Sequence, residues 1–133
     1  MSASTPLQVV QAAYAAFGQG DIPGLLGLLH ADASWQFIGD STAPYTGKVH
    51  GHEGVMRWFG DVARADQIQA FEPRDFLAGP DHVTVIGWER TVALPGGGTF
   101  ESEWVHVWKV RAGKIASFLG IFDTEAVGRA RAG

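Results

Sequence analysis

The stretch that decides the fold is residues 100–124, Phe100-Glu-Ser-Glu-Trp-Val-His-Val-Trp-Lys-Val-Arg-Ala-Gly-Lys-Ile-Ala-Ser-Phe-Leu-Gly-Ile-Phe-Asp-Thr124. Two apolar runs flank a tight turn at residues 111–114. In the first run, Trp104, His106 and Trp108 alternate with Glu103, Val105 and Val107, so neither face of the strand is a bare polar face. The pattern predicts a sheet that is covered on both sides.

The face with Trp104, His106 and Trp108 indicates a partner. Predicted helices are expected to cover the opposite face, and none remains for this one. On a monomer it would be a large exposed apolar patch. We therefore expect a homodimer that forms through this face.

Length and composition describe one folded domain over residues 1–133, since 46% of the residues are hydrophobic and 18% are charged. The net charge of −4 argues against a nucleic-acid partner, because phosphate binding needs a basic face. No apolar run is long enough to cross a membrane, and no leader pattern precedes the first helix. We expect a cytoplasmic protein. With no cysteine, thiolate metal sites are excluded.

The periodicity changes along the chain from helical to alternating. Thr5-Pro6-Leu7-Gln8 predicts a capping box that begins a helix ending at Gly18, and Asp21 begins a second, short helix. The remaining predictions are a strand over 33–38, a loop over 39–51, a helix over about 53–65, strands over 68–78, 82–94, 99–110 and 114–122, and a tail helix. Helices first and a meander afterwards predict an α+β fold.

A cross-strand pair of charges is predicted between Arg90 and Glu103. If Leu94 pairs with Thr99 in the hairpin, paired residue numbers add up to 193, which places Arg90 opposite Glu103 near Trp88 and Val105. Charges among apolar residues are common in functional clefts. The alternative is a plain ion pair at the margin of a strand.

Asp123 follows the last strand, and two roles are open for it. In an apolar cavity its pKa would rise and it could act as a general base. Alternatively, it caps the helix that Thr124 begins.

Several further residues are candidates for a pocket. Aromatic side chains that would line a small apolar cavity are Tyr14, Trp35, Phe37, Trp58, Phe59 and Trp88, with Val105 on the same sheet face. The same set also describes an ordinary core. His50 and His52 lack a third ligand, so we expect no metal site. His106 is a candidate site residue, or a buried histidine with its hydrogen bonds satisfied.

The whole chain resembles the nuclear-transport-factor-2-like superfamily, in its SnoaL-like and ketosteroid-isomerase-related group. The resemblance rests on residues 9–17, Gly20-Asp21, residues 28–33, residues 47–54, residues 112–115 and Phe122-Asp123-Thr124. It implies a cone-shaped fold, in which three N-terminal helices pack on a curved, mainly antiparallel sheet around a pocket. Such proteins are usually dimeric, and they include isomerases, cyclases, hydrolases and non-catalytic binding modules.

The resemblance does not supply a complete catalytic set. The three catalytic positions of ketosteroid isomerases fall on Ala13, Phe37 and Val105, with Tyr14 one place away from the first. Arg90 and Asp123 match two catalytic residues of limonene epoxide hydrolases, but the residues that hold the water molecule in those enzymes have no counterpart in this chain. Similarity to SnoaL-type cyclases matches His106, whereas their aspartate falls on Gly120.

Together these observations predict a protein that binds a small, mostly apolar organic molecule without a cofactor. If it is an enzyme, Asp123 or Glu103 would transfer a proton at a carbon next to a carbonyl, and Arg90 would stabilise the enolate. The alternatives are a non-catalytic ligand-binding or accessory module and a structural dimer with a filled cavity.

Overall fold

The computed structural model of the protein describes residues 4–40 and 43–132. Its helices are α1 (Pro6–Gly18), α2 (Ile22–Leu26), α3 (Gly51–Ala65) and α4 (Thr124–Ala132). Its strands are β1 (Leu29–Ile38), β2 (Gly47–His50), β3 (Asp66–Ala78), β4 (His82–Ala93), β5 (Thr99–Arg111) and β6 (Lys114–Phe122). Within the described ranges, no helix has the length and apolar character needed to span a membrane.

The six strands form one curved, open sheet in the order β2-β1-β6-β5-β4-β3. Neighbouring strands are antiparallel except β1 and β6, which run parallel. Helices α1, α2 and α3 precede most of the strands, and α1 and α3 pack on one side of the sheet, here called the inner face. The predicted α+β fold, with helices on a curved and mainly antiparallel sheet, is confirmed.

The helices begin and bury the side chains that their sequence predicts. Thr5 accepts a hydrogen bond from the Gln8 amide, and the Gln8 side chain accepts one from the Thr5 amide, which completes the capping box. Helix α3 buries one face, formed by Gly54, Val55, Trp58 and Phe59. The predicted loop over 39–51 is wrong in part, because residues 47–50 form β2 and pair with β1.

The register predicted for β4 and β5 is wrong by two residues. Thr99 pairs with Val92, and Arg90 therefore faces Glu101, not Glu103. The cause lies in the turn, where the amide of Leu94 donates to the carbonyl of Ala65 at 2.7 Å instead of continuing the ladder. The loop of the hairpin is therefore longer than the one predicted by pairing Leu94 with Thr99, because the last pair of the ladder is Val92 with Thr99.

The assignment of the two sheet faces is also wrong. Trp104, His106 and Trp108 are 2%, 5% and 3% exposed, and all three lie under the Tyr14 ring of α1 on the inner face. Trp88, Arg90, Glu103 and Val105 lie on the opposite, outer face. Alternation identifies which residues share a face, but when both faces are apolar it does not show which one the helices cover.

Two glycines on the inner face make room for large rings. A Cβ at Gly87 would overlap the ring of Trp104, and a Cβ at Gly120 would overlap the ring of Phe37. Both glycines are buried within strands. An aromatic ring thus lies across the neighbouring strand at each of these positions.

We predict that Gly120→Ala destabilises the fold by about 1–3 kcal/mol, because the added methyl group forces the Phe37 ring out of its place. Gly18→Ala is the matched control, since nothing lies within 4 Å of the Cβ that it adds to helix α1. That control should be neutral or more stable by up to about 1 kcal/mol. Urea unfolding of both variants measures the effect, and equal stabilities would contradict the packing argument.

Candidate functional site

A cavity of about 70 Å³ lies between the inner face of the sheet and the helices. Aromatic side chains from three elements form much of its wall: Tyr14 and Phe17 from α1, Trp35 and Phe37 from β1, and Trp58 and Phe59 from α3. The sheet adds Trp104, Trp108 and Phe118. The lining is therefore apolar apart from a few groups at its two ends.

Ring stacking fixes the positions of these side chains. The Trp104 ring stacks on the His106 ring with centroids 3.9 Å apart, and Trp35 stacks on Phe118 at 4.1 Å. Phe71 of β3 also stacks on Trp104, with ring centroids 4.8 Å apart. Because aromatic pairs prefer defined arrangements, this packing fixes the orientation of the rings in the wall.

One end of the cavity carries a chain of hydrogen bonds between three aromatic side chains. The indole Nε1 of Trp108 donates to the hydroxyl of Tyr14 at 3.0 Å, and that hydroxyl lies 2.7 Å from Nδ1 of His106. Burial lowers the pKa of His106 to about 3, so the imidazole is neutral at physiological pH. Burial raises the pKa of Tyr14 well above its usual value, so the phenol keeps its proton.

The other end of the cavity carries the carboxyl group of Glu89. His106 pairs with Val85 in the sheet, and Glu89 lies four residues further along β4, roughly 13 Å of strand away. Burial raises the pKa of Glu89 to about 7, the nearby charge of Asp66 adds to the increase, and a hydrogen bond from Thr91 opposes it. The group is therefore divided between its acid and base forms near neutral pH.

Asp66 is held beside Glu89 by the last helix. Arg131 of α4 donates to the Asp66 carboxylate, to the Tyr45 hydroxyl at 3.2 Å and to the Ala65 carbonyl at 3.0 Å. Burial raises the pKa of Asp66, although its hydrogen bonds with Arg131 and Tyr45 act in the opposite direction. The guanidinium is thus committed to Asp66, and Glu89 has no cation of its own among the described residues.

The structure brings together most of the side chains proposed from sequence for the pocket. Tyr14, Trp35, Phe37, Trp58, Phe59 and His106 all line the cavity. Trp88 and Val105 do not, because both lie on the outer face. The Trp88 ring lies under the guanidinium of Arg74, whose carbon is 5.2 Å from the ring centroid.

The other charged candidates lie outside the cavity. Arg90 forms an exposed pair with Glu101 at 3.4 Å, and Glu103 is exposed on the same outer face. Asp123 is exposed, and its carboxylate accepts the amide of Ala126 at 3.0 Å, which caps α4. The placement of these three residues in a pocket is therefore wrong, and of the two roles considered for Asp123 the geometry shows the cap.

Sequence reasoning missed Glu89, Asp66, Tyr45 and Arg131. When paired residue numbers add up to 193, Glu89 falls opposite Trp104 on the face expected to meet a partner, so the error in the faces removes Glu89 from the predicted pocket. The available signal was its position on the strand face that also carries Val83 and Val85, two residues from the glycine that accommodates Trp104. Asp66 and Arg131 gave no signal, because their contact joins residues far apart in the chain.

Comparisons with known proteins agree with this architecture. A family model described as a SnoaL-like domain matches residues 10–118. The solved structure of an NTF2-like protein from Burkholderia xenovorans LB400 is 31% identical, with 98% of each chain covered and a TM-score of 0.87. An NTF2-like protein of unknown function from Burkholderia pseudomallei K96243 is 29% identical, with 98% of this chain and 99% of that one covered and a TM-score of 0.87.

A third solved structure includes a small molecule. TerC, co-crystallised with polyporic acid, is 28% identical, with 98% of this chain and 100% of that one covered and a TM-score of 0.84. The comparison with curated proteins found no match.

The buried carboxyl group makes stability depend on pH. The pKa of Glu89 is raised from 4.5 to about 7 in the fold, so its stabilising contribution is complete below about pH 4.5 and is lost as the pH rises through about 7. We predict that Glu89→Gln is as stable as the wild type near pH 4.5 and more stable at pH 8, by up to about 3 kcal/mol.

Chemical denaturation across this pH range measures the difference. Glu103→Gln is the matched control, because it removes an exposed carboxyl group from the neighbouring strand. Its stability should follow that of the wild type at every pH. A constant difference between Glu89→Gln and the wild type would show that Glu89 is ionised normally.

Proposed function

Because the chain belongs to the SnoaL-like domain family and has the NTF2-like fold, we propose that it binds a small, mostly apolar organic molecule in the cavity and that Glu89 transfers a proton to or from it. The observation that carries the proposal is the pKa of about 7 for a carboxyl group that lines an aromatic cavity. A general acid–base group works best when its pKa is close to the working pH.

The walls of the cavity support the class of ligand. They offer ring faces over most of their area and polar groups only at the two ends, which suits a flat molecule with few polar atoms. The relative TerC supports a small-molecule ligand, since it was co-crystallised with polyporic acid.

The chemistry available to Glu89 is proton transfer at carbon. Its carboxylate would take a proton from a carbon next to a carbonyl group, and the electron pair of the C–H bond would move to the oxygen as an enolate. Return of the proton to another atom of the ligand completes an isomerisation, and return to the same carbon is an exchange. Neither outcome needs a cofactor.

A non-catalytic binding module is the second candidate. It is favoured by the positions of Arg90, Glu103 and Asp123, because all three lie outside the cavity. Glu89 lines the cavity, but among the described residues no cation lies beside it to stabilise an enolate. A family member that had lost its catalytic groups would keep the apolar cavity in this form.

The two candidates are separated by deuterium exchange of 2-indanone, a cyclic ketone fused to a benzene ring, with acidic benzylic protons on both sides of its carbonyl group. We predict that the protein accelerates this exchange above the buffer rate, measured by proton NMR in deuterium oxide. Glu89→Gln should lower the acceleration of exchange roughly 10²-fold, whereas Glu103→Gln should leave the exchange rate unchanged. Exchange at the buffer rate with 2-indanone bound would end the proton-transfer proposal and leave the binding module.

Binding itself is tested by filling the cavity. Val62→Phe enlarges a side chain of α3 that lines it, and Met56→Phe places the same phenylalanine at a position of α3 that is 51% exposed. Calorimetry should show that the first change abolishes binding of 2-indanone and that the second does not. Equal binding by both variants would exclude the cavity as the site.

The proposal includes a homodimer, now through the outer face. Six side chains form an apolar outer patch across three neighbouring strands: Ile86, Trp88, Val105, Val107, Leu119 and Ile121. Ile86 is 37% exposed and Ile121 is 42% exposed. A second copy of the chain is the occupant that we propose, because covering this patch removes apolar surface from water.

We predict that the wild type sediments as a dimer at micromolar concentration and that Ile121→Lys dissociates it. The substitution removes the burial of one isoleucine in each protomer, which contributes about 1.5–3 kcal/mol, and places two like charges in the interface. We therefore expect association to weaken by ~100-fold or more. Met56→Lys adds the same charge on α3 and should remain dimeric. Sedimentation of the wild type as a monomer would exclude this dimer.

A further inference from the structure

We infer that His106 is a fixed hydrogen-bond donor to the ligand, held in that role by Tyr14 and Trp108. The ligand presents to it a carbonyl-type oxygen that is distinct from the oxygen beside the carbon that Glu89 would deprotonate at the other end of the cavity. The inference rests on the proposed function, because it names the chemistry that the same cavity recognises. It also assigns Tyr14 and Trp108 as positioning residues, which act on the ligand through the imidazole.

The direction of the hydrogen bonds follows from the chemistry of the three groups. An indole N–H only donates, so at 3.0 Å the Tyr14 oxygen must be the acceptor of the bond from Trp108. The phenol then has one hydrogen left to donate, and Nδ1 of His106 lies 2.7 Å away. Nδ1 is therefore the acceptor, and the proton of the neutral ring resides on Nε2.

The opposite tautomer leaves a buried group unpaired. If Nδ1 carried the proton, it would donate to the Tyr14 oxygen, and the phenol hydrogen would have no acceptor within residues 4–40 and 43–132. An unpaired donor in an apolar interior is unfavourable. A doubly protonated ring leaves the same hydrogen unpaired and adds a buried charge without a carboxylate beside it.

The remaining nitrogen faces the cavity. His106 lines the cavity, Trp104 covers one face of its ring, and Phe118 meets the ring edge-on with centroids 4.8 Å apart. Nε2 has no hydrogen-bond partner in the described part of the chain. It is also not one of the fully buried, unpaired nitrogens there, so a molecule in the cavity can reach it. A donor is thus left open to whatever occupies the cavity.

A donor of this kind selects its ligand. An oxygen of a ketone, quinone or ester accepts the bond and so pairs a donor that would otherwise be unsatisfied in an apolar cavity. An ammonium group has no lone pair to offer and would meet the N–H unfavourably. Because the ring nitrogen at Nδ1 is already occupied by Tyr14, His106 is not the proton acceptor of the site.

The tautomer is tested without a ligand by long-range proton–nitrogen NMR of uniformly ¹⁵N-labelled protein. The wild type should show His106 with its proton on Nε2, and Tyr14→Phe should lose this preference because the ring of phenylalanine has no hydroxyl to donate. A wild-type spectrum with the proton on Nδ1, or with both nitrogens protonated, would overturn the inference even if the variant failed to fold.

The ligand class is tested with 2-indanone and indane, which differ only in the carbonyl group. We expect 2-indanone to bind the wild type about tenfold more tightly, and its carbonyl stretching frequency to fall on binding. The Tyr14→Phe variant should lose both effects. Equal affinities with an unchanged carbonyl frequency would overturn the inference while leaving the proposed function intact, whereas binding of neither compound would remove the proposed function itself.

Discussion

The constraint on which the structure depends is the spacing between neighbouring strands beneath the aromatic wall. Neighbouring strands are about 4.8 Å apart, which is too close for a large ring to lie across the next strand if that strand carries a side chain at the contact. Gly87 and Gly120 remove the side chain at two such contacts, so Trp104 and Phe37 lie flat on the sheet. The rings then form a continuous layer, and the helices close over it with a cavity between them.

The cavity gains its chemical character from what the wall excludes. Water is displaced by rings, so each polar group that remains is shifted from its behaviour in solution. The imidazole of His106 stays neutral, the phenol of Tyr14 keeps its proton, and the carboxyl group of Glu89 becomes a weak acid. A donor at one end and an acid–base group at the other follow mainly from burial, and the charge of Asp66 adds to the shift of Glu89.

The family and the fold class could be predicted from the sequence, because the Thr5–Gln8 capping box, the apolar face of α3 and the alternation in β5 are local patterns. The matched family model and the solved relatives confirm the resemblance. The site could be predicted only in part. The alternation grouped Trp104, His106 and Trp108 correctly, but it could not show which face lies inwards, and that error hid Glu89. The contact of Arg131 with Asp66 joins two ends of the chain and leaves no local pattern.

The clustering of indole rings on the inner face gives the molecule an intrinsic optical reporter. Of its five tryptophans, Trp35, Trp58, Trp104 and Trp108 line the cavity, and Trp88 lies on the outer face beneath Arg74. Ultraviolet excitation therefore samples the interior four times and the exterior once. A change of polarity inside the cavity shifts the emission of four indoles together, while the emission of Trp88 records events on the opposite side of the sheet. A Trp88→Phe variant would therefore emit from the cavity wall alone.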